Sequence, residues 1–283
     1  MTDRETWTTL KILSWTKEYL AGKGVENARL EAEWLLCEAL SLDRVGLYLN
    51  FDKPLQDNEL ASFRSLVARR AKREPLQHIL GTQEFMGLEF KTTAAALIPR
   101  HDTEVLVSEA LRVFPAARSV LDIGAGSGCV AIAIAKNLPA AAVVSVDISP
   151  EALLLAQRNA ALNDVTVAFR QGSLFGAVEG EQFDLIVSNP PYIPAADIAT
   201  LEPEVRDYEP QAALDGGADG LDFYRTIIPA APGHLHPGGW LLLEIGAGQS
   251  GAVTEMFAKN GFSAIFSAKD PGGIERVVGG RIS

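Results

Sequence analysis

Cysteine, basic charge and long apolar runs are all in short supply in this sequence, and each shortage removes a class of protein. Only Cys37 and Cys129 occur, far apart and each within an apolar helical pattern, so no disulfide framework can be drawn and packed thiols in a reducing compartment are expected. Lys and Arg number 25 against 36 Asp and Glu, giving a formal charge of −11 and a pI near 4.9. That balance excludes a broad basic face for nucleic acid, and no direct nucleic-acid partner is expected. The deficit is uneven: residues 1–74 hold twelve groups of each sign, leaving thirteen basic against twenty-four acidic in residues 75–283. No apolar run approaches the length of a membrane span, and Met1-Thr2-Asp3-Arg4-Glu5 lacks the basic-then-apolar layout of a secretory signal. A cytoplasmic, monomeric protein with no membrane partner is the expectation. Histidine is also sparse. His234 and His236 form a His-x-His, yet no further Cys, His or carboxylate stands at ligand spacing, so no metal is expected.

What is present divides the 283 residues into a small module and a larger domain. Residues 6–74 are almost free of Gly and Pro, and repeat apolar residues at helical spacing: Leu10, Leu13, Trp15 and Leu20, then Ala28, Leu30, Ala32, Trp34, Leu35 and Leu36, then Leu60, Phe63, Leu66 and Val67. Breaks at Gly22–Gly24, Ser41–Asp43 and Asp52–Pro54 predict a bundle of four or five helices over residues 1–74. The basic cluster Arg69-Arg70-Ala71-Lys72-Arg73 closes it. It reads either as a solvated helix end or as a docking surface for an acidic or RNA-associated partner. Residues 75–98, with Leu76–Gly81 and Glu84–Lys91 as alternating runs, predict a β-hairpin linker. A helix should then open at Asp102 or Thr103 as N-cap and run through Leu111; His101, alone in that loop, reads as structural.

Residues 99–283 form the larger domain, and from residue 118 strand and helix alternate with the regularity of a doubly wound α/β sheet. The expected strands are Val120–Ile123, Ala142–Asp147, Val165–Phe169, Phe183–Val187, Trp240–Ile245, Phe262–Ala268 and Ile274–Gly279. Only Pro271-Gly272-Gly273 separates the last two, too short for a crossover helix, so that pair should be antiparallel. Between the first strand and its helix lies Gly124-Ala125-Gly126-Ser127-Gly128, whose missing side chains allow close approach of a ligand. Asp147 ends the second strand, where it can take both hydroxyls of a ribose. A glycine loop with an acidic residue about 20 positions on signals a nucleoside cofactor without separating NAD from S-adenosylmethionine.

The fourth strand resolves that choice. Phe183-Asp184-Leu185-Ile186-Val187 is stopped by Ser188-Asn189-Pro190-Pro191-Tyr192, so Asn189 should stand at a strand tip. Two prolines stiffen the loop and remove two N–H donors while keeping their carbonyls, and Asn189 adds a side-chain oxygen. Such a surplus of acceptors suits a planar –NH2, a poor nucleophile whose lone pair must be aimed and whose growing positive charge must be stabilised. Tyr192 would wall the substrate. The bland reading is a tight turn after a strand. Hydride chemistry leaves this loop unexplained; transfer of a sulfonium methyl to a gripped nitrogen explains both loops.

Asp122–Gly128 together with Asn189–Tyr192 resembles the class I methyltransferases of amide and amino nitrogens. With Ile98–Glu104, Glu209-Pro210 and the helical module, the whole chain resembles the HemK/PrmC family, the peptide chain release factor glutamine N5-methyltransferases. The resemblance implies a Rossmann-like seven-stranded, mostly parallel sheet with an antiparallel last strand, and methylation of the Gly-Gly-Gln glutamine of class 1 release factors by S-adenosylmethionine. It implies that Gly124, Ala125, Gly126, Ser127, Gly128, Asp147, Leu174 and Asn189 line the cofactor, that Asn189, Pro190, Pro191 and Tyr192 hold the substrate, with Asn189, Pro190 and Tyr192 catalytic, and that residues 1–74 help to dock the protein substrate. Two positions depart from the family pattern: Leu174 stands where a Trp is common, and His101 replaces the second proline of Pro-Arg-Pro. Adenine-N6 methyltransferases of DNA or RNA share the acceptor logic and are the alternative; they require a basic cleft, which the acidic domain does not offer.

Overall fold

A computed structural model describes residues 7–283, so the reading of Met1–Glu5 lies outside the described residues. The chain divides into two units, Met1–Gly81 with Glu202–Tyr208, and Thr82–Leu201 with Glu209–Ser283.

The first unit holds α1 (Thr9–Ala21), α2 (Ala28–Leu40), α3 (Arg44–Leu49), α4 (Asp57–Arg70) and α5 (Leu76–Leu80). Side chains start two of them: the Thr8 hydroxyl accepts the Lys11 N–H at 3.4 Å, and the Asp43 carboxylate accepts the Gly46 N–H at 2.6 Å. The buried stripe of α1 is Ile12, Thr16 and Leu20, which packs with Leu35, Leu36, Leu47 and Phe63. Leu10 and Trp15, expected on the apolar side, are 59% and 50% exposed. Residues Leu76–Leu80, expected as strand, are helical; Pro75 presets the entry and Gly81 closes the turn at φ +77°. Lys72 of the basic cluster is exposed, but its arginines are engaged within the unit. Arg70, buried, pairs with Glu31 and with Glu204 at 2.7 Å, while Arg73 reaches Glu204 and Glu202, both at 2.6 Å. Arg69 pairs with Glu74, and the Tyr208 hydroxyl donates to the Lys72 carbonyl at 2.8 Å. The helical turn Pro203–Arg206 is thus tied into this unit by charge.

The second unit opens with the hairpin β1 (Thr82–Phe85) and β2 (Leu88–Lys91), then α6 (Glu104–Val113) after a 3-10 turn over His101–Thr103. It continues through β3 (Ser119–Ile123), α7 (Cys129–Asn137), β4 (Ala142–Asp147), α8 (Pro150–Leu162), β5 (Ala168–Gln171), β6 (Phe183–Ser188), β7 (Leu235–Glu244), β8 (Ser263–Lys269) and β9 (Glu275–Arg281). These seven strands form one sheet, ordered β5-β4-β3-β6-β7-β9-β8, with β9 antiparallel to both its neighbours and the remaining pairs parallel. The third strand begins at Ala168 rather than Val165, because the Val165 N–H is spent on the Ala160 carbonyl at 3.1 Å, closing α8. The Pro232–Gly239 stretch, which holds His234 and His236, forms a 3-10 turn and then a bulge in β7, between the pairs Phe183–Leu235 and Leu185–Trp240.

Central strands are apolar on both faces. Leu121, Ile123, Ile186, Leu241 and Leu243 enter one core cluster, and their neighbours Val120, Leu185, Val187 and Leu242 enter the other. Strand order reverses between β3 and β6. A crevice over the carboxyl ends of an open α/β sheet forms at such a switch point.

Candidate functional site

The glycine loop follows β3 at that reversal. Gly124, Gly126 and Gly128 have φ of +86°, +52° and +83°, a region that costs L-residues with a Cβ. The N–H groups of Gly124 and Ala125 both donate to the Val146 carbonyl, at 2.8 and 3.0 Å, which binds the loop to the end of β4. A Cβ on Gly128 would meet Ile132 Cδ1 at 2.9 Å and Ala156 Cβ at 3.0 Å, so this glycine serves packing of α7 against α8. A Cβ on Gly126 would meet nothing within 4 Å. Gly126 therefore leaves room over the strand ends. Ala125 and Ser127 are buried, and the Ser127 carbonyl accepts from Asn159 Nδ2 at 2.9 Å.

Asp147 ends β4 beside this loop. Its Oδ2 accepts the Gly126 N–H at 2.8 Å and its Oδ1 the Ser149 N–H at 2.9 Å, which leaves acceptor capacity on a carboxylate with about four lone-pair directions. The Gly172 N–H donates to the Asp147 carbonyl at 2.9 Å, carrying the Gly172–Leu174 turn to the same edge, where Leu174 takes a left-handed φ of +50°. Beneath the loop Asp122 is fully buried; Ser145 donates to its Oδ2 at 2.7 Å, while Oδ1 has no partner among the described residues. Burial pushes its carboxyl up to about 7, against the pull of the Ser145 hydroxyl. Open space over Gly126, a half-occupied carboxylate at Asp147 and an unpartnered buried oxygen at Asp122 together fit a nucleoside cofactor bearing positive charge.

Across the switch, Ser188 pairs in register with Ile123 and donates its hydroxyl to the Ile123 carbonyl at 2.6 Å, so the ends of β3 and β6 are locked together. A Cβ on Gly124 would lie 3.9 Å from the Asn189 carbonyl oxygen. The two loops therefore share one crevice. Pro190 is buried, and Pro191 and Tyr192 are half-buried. The corner is clamped from behind: Gln249 Nε2 donates to the Tyr192 carbonyl at 3.0 Å and its Oε1 accepts the Gly246 N–H at 2.9 Å. Gly216 and Gly220 press on the backbone of Pro191 and Tyr192, where a Cβ at Gly220 would stand 2.2 Å from the Tyr192 carbonyl oxygen. Burial drives the Tyr192 hydroxyl up to about 12, so it stays protonated at neutral pH.

Thr103, buried at the start of α6, caps nothing with its side chain; its Oγ1 instead accepts from Asn189 Nδ2 at 3.1 Å. Both groups favour the ionised form of Glu244, the last residue of β7, which is 2% exposed. Burial pushes the Glu244 carboxyl up to about 7, opposed by Thr103, Arg276 and Asn189. Arg276 also joins Asp102 at 2.7 Å and Asp270 at 2.8 Å. Arg100 grips both oxygens of the buried Glu209, at 2.9 and 2.7 Å; burial raises that carboxyl even so. His101 is exposed and meets Glu104 Oε1 at 3.4 Å. Sequence reasoning missed Glu244, although a charge ending the run Leu241-Leu242-Leu243 was a visible signal of a buried carboxylate.

A family profile described as the PrmC N-terminal domain matches residues 11–81, and one described as the methyltransferase small domain matches residues 101–201. The release factor glutamine methyltransferase of Geobacter sulfurreducens is 65% identical over 283 residues, 100% of each chain. That of Koribacter versatilis is 41% identical over 268 residues, covering 93% of this chain and 95% of its own. A methyltransferase structure from Pyrococcus furiosus shares the fold, with a TM-score of 0.52 at 21% identity over 76% of this chain and 98% of that one. Matched from end to end at such identity, the chain belongs to the release factor glutamine methyltransferase family.

Proposed function

We propose that this enzyme methylates the side-chain amide nitrogen (N5) of a glutamine presented by a class 1 peptide chain release factor, the Gly-Gly-Gln glutamine; its relatives are named release factor glutamine methyltransferase. One observation carries the reading. A donor-poor corner, Asn189 to Tyr192, opens onto the glycine loop at the switch point, with Gly124 beside the Asn189 carbonyl. S-adenosylmethionine supplies a sulfonium methyl, the electrophile.

Gly124 to Gly128 line the cofactor, Asp147 takes its ribose hydroxyls, and Leu174 borders its base. The Asn189 side-chain oxygen and the Pro190 carbonyl accept the two amide hydrogens of the substrate glutamine. That grip fixes the nitrogen, turns its lone pair toward the methyl and stabilises the positive charge that grows there. Pro191 and Tyr192 exclude water and present a flat wall. The proton leaves after attack, when the nitrogen is cationic and acidic, so no general base is required. Because Gln249, Gly216 and Gly220 hold the corner's backbone, the acceptors are fixed before substrate arrives.

The helical unit serves as a docking surface for the protein substrate. Supporting this are the exposed Trp15 and Tyr19, stacked at 4.9 Å between centroids, with Trp15 edge-on to the half-buried Trp7 at 6.4 Å, aromatic side chains of the kind that anchor interfaces. Among the described residues no helix is long and apolar enough to cross a membrane, and a cytoplasmic monomer goes with this substrate. The test is incubation with methyl-labelled S-adenosylmethionine and either a class 1 release factor or unmethylated DNA. Label in the release factor, lost when its Gly-Gly-Gln glutamine is replaced, is expected; label in DNA alone refutes the reading.

A further inference from the structure

We propose that Glu244 is a positioning residue: acting with the Thr103 hydroxyl, its carboxylate turns the Asn189 amide so that Nδ2 faces the protein and Oδ1 faces the substrate. The inference rests on the amide-methylation reading above and deepens it.

The two ends of an Asn amide have nearly the same shape, so packing alone does not choose between them. Polarity does. Leu243 pairs with Ser188 across β6 and β7, so Glu244 and Asn189 follow paired residues on neighbouring strands. The Glu244 carboxylate is buried, and its Oε2 has no hydrogen-bond partner among the described residues. When ionised it can only accept. The single O–H of Thr103 is then drawn toward this carboxylate, which leaves only lone pairs for its other neighbour. Asn189 answers with Nδ2, at 3.1 Å. The opposite flip would set Oδ1 against the lone pairs of Thr103 and the charge of Glu244. Nδ2 is thereby held inward, and the planar amide directs Oδ1 out to meet an N–H of the substrate.

A proton on Glu244 undoes this order. The neutral acid can donate, Thr103 can rotate to donate toward Oδ1, and the flipped amide becomes acceptable. The charged and titratable groups facing Glu244 are Arg276 from β9, Asp102, Tyr192, Tyr224 and Cys129. Arg276 favours the ionised form and Asp102 opposes it. Burial holds the balance near neutrality, at about 7, so the orientation should strengthen as pH rises through that value.

The experiment measures kcat and KM from pH 6 to 8.5 with a class 1 release factor and S-adenosylmethionine, for wild type, Glu244→Gln, Thr103→Val and Thr103→Ser. Wild type should show one ionisation near 7 in kcat, rising with pH. Glu244→Gln, whose amide can present either end, should lose roughly 10- to 100-fold in kcat, lose the inflection, and keep its KM for S-adenosylmethionine within about twofold. Its melting temperature at pH 8 should equal or exceed wild type, since a buried charge is gone; a merely structural Glu244 would give the reverse. Thr103→Val should lose kcat similarly and Thr103→Ser should restore most of it, which decides the matter should Glu244→Gln fail to fold. Wild-type kcat with an intact inflection in Glu244→Gln, or wild-type kcat in Thr103→Val, overturns the proposal. Failure of wild type to label the release factor would instead overturn the functional reading beneath it.

Discussion

Replacing two glycines of one loop by alanine should produce opposite phenotypes. At Gly128 the new Cβ would stand 2.9 Å from Ile132 Cδ1, 3.0 Å from Ala156 Cβ and 3.3 Å from Ala156 Cα, at φ +83°. The left-handed backbone costs about 1–2 kcal/mol for an L-residue, and overpacking between two helices adds about 1–3. A total of about 2–5 kcal/mol is a large share of the 5–15 typical of a folded domain. For a unit of this size it should lower the melting temperature by roughly 5–15 °C. At Gly126, φ +52°, the Cβ meets nothing within 4 Å. Only the backbone term of about 1–2 kcal/mol applies to the free enzyme. The methyl projects instead into the space assigned to the cofactor, so Gly126→Ala should weaken S-adenosylmethionine binding about tenfold or more. Thermal melts with and without saturating cofactor, paired with calorimetric titration, separate the two. At one fixed cofactor concentration, bound ligand should raise the melting temperature of Gly128→Ala more than that of Gly126→Ala, which loses about 1.4 kcal/mol of ligand stabilisation for each tenfold in affinity. Wild-type cofactor affinity in Gly126→Ala, or equal destabilisation by both, would refute the assignment of that space.

Two further outcomes follow from buried charge. Arg70→Ala strands the Glu31 carboxylate and leaves Glu204 with Arg73 alone, and should cost about 2–4 kcal/mol in urea denaturation, below the 3–5 of a fully buried pair because both partners keep some solvent; a loss under about 0.5 would contradict it. Burial opposes ionisation of Glu204, yet Arg73 and Arg70 outweigh it and hold the carboxyl low. Its contribution is therefore present above the ordinary carboxylate pKa and fades as pH falls through the lowered one, an acid sensitivity that Arg70→Ala should reduce. Asp122 behaves in the opposite sense. Burial raises its carboxyl to about 7, so the folded state holds its proton longer than the unfolded chain, and stability declines as pH rises from about 4 to 7. Asp122→Asn should flatten that part of the stability curve, and an unchanged slope would count against a strained carboxylate there.

Much of the sheet was legible because a buried parallel strand writes itself as a short apolar run between glycine and helical periodicity, as at Val120–Ile123 and Phe183–Val187. The glycine loop and the proline corner were legible for the same local reason. Misreadings arose where a local pattern was ambiguous or its groups were used elsewhere. Leu76–Leu80 is too short for periodicity to separate helix from strand, and Val165 was claimed by the end of α8. Arg70 and Arg73 looked like free charge because their partners Glu31, Glu202 and Glu204 lie far along the chain. Thr103 carries the letter of a capping residue, yet its hydroxyl serves Asn189, 86 positions on. Such pairings exist only once the sheet has brought the chain ends together.

Turnover by Asn189→Ala, with cofactor affinity measured in parallel, tests the grip on the amide most directly. Loss of one preorganised contact to the charge that forms during transfer should lower kcat by about 10²–10³-fold, while the dissociation constant for S-adenosylmethionine stays within about threefold. A variant that methylates release factor at the wild-type rate would contradict the account.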